Sequence, residues 1–214
     1  MDEEISIINS KTRTEKIRNF LLENKKLLIS ILVFLVLFLI SFYSFQIYKN
    51  NQKELISDKY NNATTNIDKS DPSRIVSELK EVIDYRDSTY SPLALYFIID
   101  NKLLDNQDEI NELFDVLINK TSLEEEIKNL IIYKKALYNA DTIEENELLN
   151  MLKPIINAES VWSSHALYLV AEYFYSKNEI EKSKEFFNKI LSLKIANQDI
   201  ILASQKRLNR DLSE

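Results

Sequence analysis

From Leu27 to Tyr48 the chain runs for 22 residues without a charged side chain. At about 1.5 Å rise per residue, a helix of that length crosses a hydrocarbon core of roughly 30 Å. All positions from Leu27 to Phe42 except Ser30 and Ser41 are Leu, Ile, Val or Phe. At about −0.3 to −0.6 kcal/mol each, these fourteen residues favour insertion by roughly 4 to 8 kcal/mol. Ser30, Ser41, Ser44 and Gln46 do not reverse that balance, because a serine hydroxyl bonds back to its own helix backbone. A soluble core helix is rarely apolar on every face over such a length. A cleaved leader fits poorly, since 26 residues precede the run and it exits through Phe42, Tyr43, Phe45 and Tyr48 with no small-x-small site. Those rings read as an interfacial aromatic belt. The sequence therefore predicts an N-terminal segment over 1–26, a transmembrane helix over 27–48 and a separate domain over 49–214.

Orientation follows from the flanks. Lys11, Arg13, Lys16, Arg18, Lys25 and Lys26 lie in residues 11–26 before the run, whereas the equal stretch 49–64 after it holds only Lys49, Lys53 and Lys59. Basic residues favour the cytoplasmic side, which places 1–26 in the cytoplasm and 49–214 across the membrane. The latter part carries 21 basic against 29 acidic side chains, a charge of −8. Nucleic-acid binders carry a basic stripe, so a nucleic-acid partner is not expected. Asn62-Ala63-Thr64 and Asn119-Lys120-Thr121 match the glycosylation sequon, but such triplets arise by chance in an Asn-rich chain.

The chain contains no glycine and no cysteine. Phosphate loops, dinucleotide turns and nucleophile elbows need a backbone without Cβ, so enzymes built on them are not expected. Without cysteine, disulfides, thiolate zinc sites and thiol nucleophiles are excluded. Tight hairpins lean on glycine too, which leaves helices joined by short turns.

Apolar spacing in 49–214 is helical nearly throughout. Leu55, Ile56, Tyr60, Ala63 and Ile67 continue a helix beyond the apolar run. Asp71 reads as the cap of a helix opening at Pro72, with Ile75, Val76, Leu79, Val82 and Ile83 as its buried stripe. Ser91 and Pro92 repeat that signal before Leu93, Ala94, Tyr96, Phe97, Ile98, Ile99, Leu103 and Leu104. A further stripe joins Ile110, Leu113, Phe114, Leu117 and Ile118. Thr121 with Glu124, and Thr142 with Glu145, match capping boxes. They open helices through Ile127, Leu130, Ile131, Tyr133 and Leu137, and through Leu148, Leu149, Leu152, Ile155 and Ile156. Pro154 is expected to kink or end the second. Asn106, Asn139, Asn157 and Asn178 take the left-handed helix ends that glycine would otherwise fill. The total is about eight helices in antiparallel pairs.

The clearest repeat-like unit spans Trp162 to Leu191. Leu167, Val170, Ala171 and Phe174 share one helix face, Asn178 makes the turn, and Ser183, Phe187, Ile190 and Leu191 follow on a second helix. Small residues at Ala171 and Ser183 permit close approach. This unit resembles a tetratricopeptide repeat, with Ala171 where that repeat has a small glycine and Ser183 where it has alanine. A second unit is read over Ser91 to Ile118, and Gln198 to Leu212 as a terminal helix covering the last hairpin.

The layout as a whole resembles the ancillary subunit of the bacterial Sec translocon with its tetratricopeptide-like domain. The resemblance rests on the short cytoplasmic start, the single anchor and the acidic helical domain, with local echoes at Ser57 to Ala63, Pro154-Ile155 followed by Ser160, Val161 and Trp162, then Ala171 to Phe187 and Arg207-Leu208. It implies an inner-membrane protein whose all-α domain lies in the periplasm and meets the translocon, periplasmic chaperones or emerging chains. A scaffold for cell-envelope assembly or division has the same architecture.

Candidate chemistry is sparse. His165 is the only histidine and follows Ser163 and Ser164, but residues one and two apart on a helix do not face each other. Glu124, Glu125 and Glu126 read as the acidic first turn of a helix rather than as metal ligands. Trp162 reads as a core ring between hairpins, with a partner anchor as the alternative. Ile17, Phe20 and Leu21 among Lys16, Arg18 and Lys25 suit either a membrane-surface helix or an extension of the anchor. The expectation is a protein-interaction module that is not an enzyme, with no catalytic residue, cofactor, metal or small-molecule substrate.

Overall fold

A computed structural model describes residues 15–16, 18–65 and 71–212. Lys11, Arg13, Ile17 and Ile67 lie outside them. The described residues are helical with no strand, and the architecture is all-α. The chain divides into two compact units, Met1–Leu55 and Ile56–Glu214.

The first unit holds most of α1 (Lys25–Thr65), a helix of 41 residues. Its apolar stretch is exposed, with Phe34 at 73 %. By length and composition it is able to span a membrane, where lipid covers such a surface. Helical hydrogen bonding also runs through the residues before it, from the Asn24 N–H to the Phe20 carbonyl and from the Leu28 N–H to the Asn24 carbonyl. The segment with Phe20 and Leu21 thus extends the same helix.

The second unit begins with the end of α1, where Ile56 and Ala63 are buried. Eight further helices follow among the described residues: α2 (Pro72–Asp84), α3 (Tyr90–Asp100), α4 (Gln107–Lys120), α5 (Glu125–Asn139), α6 (Glu145–Asn157), α7 (Ser163–Ser176), α8 (Ile180–Leu191) and α9 (Gln198–Arg210). Each packs on helices one or two places along the chain, which is the nearest-neighbour pattern of stacked hairpins.

Asp71 caps α2 as expected, accepting from the Arg74 N–H at 3.2 Å, and all five residues of its predicted stripe are buried. The cap read at Ser91 is not one. α3 opens at Tyr90, where the Asp87 carboxylate accepts from the Thr89 and Tyr90 N–H groups. Ser91 lies inside the helix and donates to the Val82 carbonyl, so its small side chain joins α2 to α3. Neither capping box forms. Thr121 donates backwards to the Val116 carbonyl and Thr142 to the Asn139 carbonyl, while α5 and α6 start at Glu125 and Glu145 without side-chain caps. A threonine at the end of one helix satisfies that helix before it serves the next.

Left-handed helix ends occur at Arg86, Lys102 and Asn178, with φ of 56°, 51° and 61°. Of the four asparagines expected there, Asn178 alone adopts it. Asn106 instead caps the start of α4, and Asn139 and Asn157 are the last residues of α5 and α6. After Lys102 and Asn178 the Leu103 and Glu179 N–H groups reach back to the Ile98 and Phe174 carbonyls, closing the Schellman turns that glycine usually makes. α6 continues three residues beyond Pro154 before it ends.

Three apolar clusters run along the stack. The first joins Ile56 and Ala63 to α2, α3, α4 and Ile131 of α5. The second joins α5, α6 and α7 through Ala136, Leu148, Leu152, Val170 and Phe174. The third sets Leu167 and Ala171 of α7 against Phe187, Ile190 and Leu212. α5 departs from its predicted stripe, because Ile127 and Leu137 are exposed while Asn129 and Asn139 are buried. The Asn139 side chain exchanges hydrogen bonds of 2.8 and 2.9 Å with Asn111 and accepts another from Gln107, a polar joint between α4 and α5. The α7–α8 pair matches its reading at nearly every position. Ser183 is fully buried and donates to the Ala171 carbonyl at 2.9 Å, whereas Leu191 lies on the open side.

Candidate interaction surface

The most built surface outside the core lies where α7 begins. Ser160 donates to the Glu126 carboxylate at 2.8 Å and accepts from the Trp162 N–H, fixing the loop before the helix. Ser163 donates towards the Ile155 and Ala158 carbonyls, which ties the end of α6 to the start of α7. Ser164 accepts from the Asn197 N–H and holds the α8–α9 loop against the same helix. Both hydroxyls bond to backbone groups.

His165 meets aromatic rings instead. Its ring centre lies 5.0 Å from that of Trp162 and 5.8 Å from that of Tyr133, and Tyr133 stacks on Trp162 at 6.1 Å. Trp162 is half-buried and packs on the second cluster, so the core reading accounts for one side of the ring. Another side opens to a cleft of about 380 Å³ lined by Val161, Trp162, His165, Ile195, Ala196 and Asn197. Across Ile195 a second cleft of about 410 Å³ runs between the α6–α7 and α8–α9 loops. His165 Nδ1 is buried without a hydrogen-bond partner of good geometry. Burial pushes the imidazole below its usual pKa, opposed in part by the Val161 backbone.

The remaining sequence candidates fall elsewhere. Glu124, Glu125 and Glu126 open α5, and Glu126 alone of them bonds into the loop at Ser160. Among the described residues no three His, Asp or Glu side chains converge as a metal site. Arg207 ties α9 to α7 through two hydrogen bonds of 2.7 Å to Glu172 and holds Asp211 at 2.8 Å, and the Arg210 guanidinium, together with that of Arg207, depresses the Asp211 carboxyl well below its ordinary value. The partnership of Tyr133, Trp162, His165 and Ile195 had no signal in the sequence, because it joins three separate segments.

A smaller cleft of about 210 Å³ lies beside Tyr96, Phe114 and Lys134. Burial raises the Tyr96 hydroxyl to about 12, and the Lys134 Nζ sits 4.5 Å from the ring centre. Between the ordinary tyrosine pKa near 10 and about 12, the folded chain binds a proton that the unfolded chain has lost, so stability is expected to fall as pH rises through this window. Ultraviolet titration of the phenolates checks it: Tyr96→Phe is expected to remove one late-titrating group and to flatten the alkaline loss of stability.

Fold and surface together define an all-α stack of helical hairpins in a chain with one helix long and apolar enough to span a membrane. Comparison with protein-family models, with curated proteins and with solved structures finds no match to this chain.

Proposed function

We propose that the chain is a single-pass inner-membrane protein whose helical unit is a docking module for other proteins, in the manner of the ancillary Sec translocon subunit that its sequence resembles. In this reading the N-terminus is cytoplasmic, the helical unit lies in the periplasm, and its partners are the translocon and periplasmic chaperones or emerging chains. One observation carries the reading: a helix long and apolar enough to span a membrane precedes a stack of helical hairpins. A stack of hairpins supplies extended surface without a chemical centre, which suits binding.

Photo-crosslinkers at the exposed positions Leu93, Leu137 and Leu191, used in native membranes with mass spectrometry, test it. Translocon subunits or periplasmic chaperones are the expected products. Division or envelope-assembly proteins alone would replace the reading with the scaffold alternative. Orientation has its own check. Protease added to spheroplasts is expected to digest the chain beyond Tyr48 and spare the first 26 residues, and protection of the helical unit would reverse the assignment.

A further inference from the structure

We infer that the cleft at the start of α7 receives an aromatic side chain of a partner polypeptide, carried on a segment with basic residues beside it. The inference rests on the docking reading above and names the chemistry of what docks. The lining of Val161, Trp162, His165, Ile195, Ala196 and Asn197 contains no charged side chain, in a protein of which 29 % is charged. Its volume of about 380 Å³ is at the small end of ligand-sized pockets, which suits one ring rather than a folded element. Val161 and Ile195 stand about half exposed at its mouth, at 53 % and 52 %, and Trp162 offers a ring for edge or face contact.

Charge at the rim selects what flanks the ring. Within two residues of the lining lie Glu159, Asp199 and Lys194, and Glu126 is hydrogen-bonded to the loop through Ser160. Glu159 and Lys194 line the adjoining cleft that shares Ile195, and Glu126 is bonded to its Ser160, so two carboxylates against one ammonium form the rim on that side, within a portion of the chain whose charge is −8. A cationic neighbour on the incoming segment is attracted by the rim and by the Trp162 face, whereas an acidic neighbour is repelled. Burial lowers the imidazole pKa, which disfavours an opposing positive charge there.

Trp162 is the single tryptophan of the chain, so its emission reports the cleft directly. The full chain in lipid nanodiscs is titrated with the acetylated, amidated pentapeptide Lys-Ser-Phe-Ser-Lys, which has no tryptophan of its own. The expected result is a saturable shift of Trp162 emission. Replacing the peptide's Phe by Ala, or both of its Lys by Glu, is expected to weaken binding at least tenfold. Val161→Ser or Ile195→Ser is expected to weaken it at least fivefold, and Leu93→Ser on α3 to leave it unchanged. Absence of a saturable response, equal binding of the Glu peptide, or full binding by both cleft variants overturns the inference. Native cross-links through Leu93, Leu137 and Leu191 are scored separately. Their presence without a peptide response refutes the cleft alone, and a peptide response without them refutes the docking reading alone.

Discussion

Ala171→Trp is expected to lower the melting temperature by about 6–12 °C. Ala171 and Ser183 are both fully buried where α7 and α8 meet, and the Ser183 hydroxyl lies 2.9 Å from the Ala171 carbonyl. No room exists for an indole, so the helices must separate. Overpacking of this kind costs about 1–3 kcal/mol or more, and the buried hydrogen bond is lost with it, so the upper figure of about 3 kcal/mol applies. In a unit of this size each kcal/mol moves the midpoint by roughly 2–4 °C. Circular dichroism during heating checks the value. A melt identical to that of the unaltered chain would show that the pair tolerates a wider separation than its hydrogen bond implies.

The opposite error, a cavity, is expected to cost as much or more. Phe187→Ala should destabilise the helical unit by about 3–5 kcal/mol, because the ring is fully buried and leaves a void that its neighbours fill only in part. The ring meets Tyr168 edge-on at 5.4 Å and packs among Leu167, Ala171, Ile190 and Leu212, so α7, α8 and the residues after α9 all lose contact. Leu191→Ala on the open side of the same helix is the comparison, with an expected change within about 0.5 kcal/mol. Urea unfolding of the two variants separates them. Equal losses would mean that α8 is not held by its inner face.

The α7–α8 pair was legible in the sequence because everything that defines it is local: apolar residues three and four apart, small residues at Ala171 and Ser183, and one asparagine in the turn. The same holds for Asp71 and Pro72, whose cap depends on neighbours within three residues. Helix ends were less legible. Thr121, Thr142 and Ser91 each have a hydroxyl able to bond forwards or backwards along the chain, and the backward or neighbouring-helix carbonyl wins at all three. Left-handed residues at Arg86 and Lys102 carry no compositional mark, since the surrounding turns impose the conformation. On α5 the apolar pattern pointed outwards at Ile127 and Leu137. Asn139 lies inside because Asn111 and Gln107 of another helix meet its amide, a match that no periodicity records. The cleft beside His165 was illegible for the same reason, being assembled from residues near 162 and 196.

α7 contributes to two clusters at once, Val170 and Phe174 to the one that holds α5 and α6, Leu167 and Ala171 to the one that holds Phe187 and Ile190 of α8. Such an arrangement dictates an order of assembly as the chain leaves the ribosome. The helices from α2 to α4 enclose much of the first cluster with contacts close in sequence, which form quickly. Synthesis then delivers α5 and α6 with Leu148, Leu152 and Ile155 still uncovered on one side. Those side chains share their cluster with α7 residues from Ala166 to Phe174, the last of them made about twenty residues later and thus after roughly one to four seconds at ordinary elongation rates. The nascent chain is most exposed to unwanted association during that interval, and the arrival of α7 is the event that ends it.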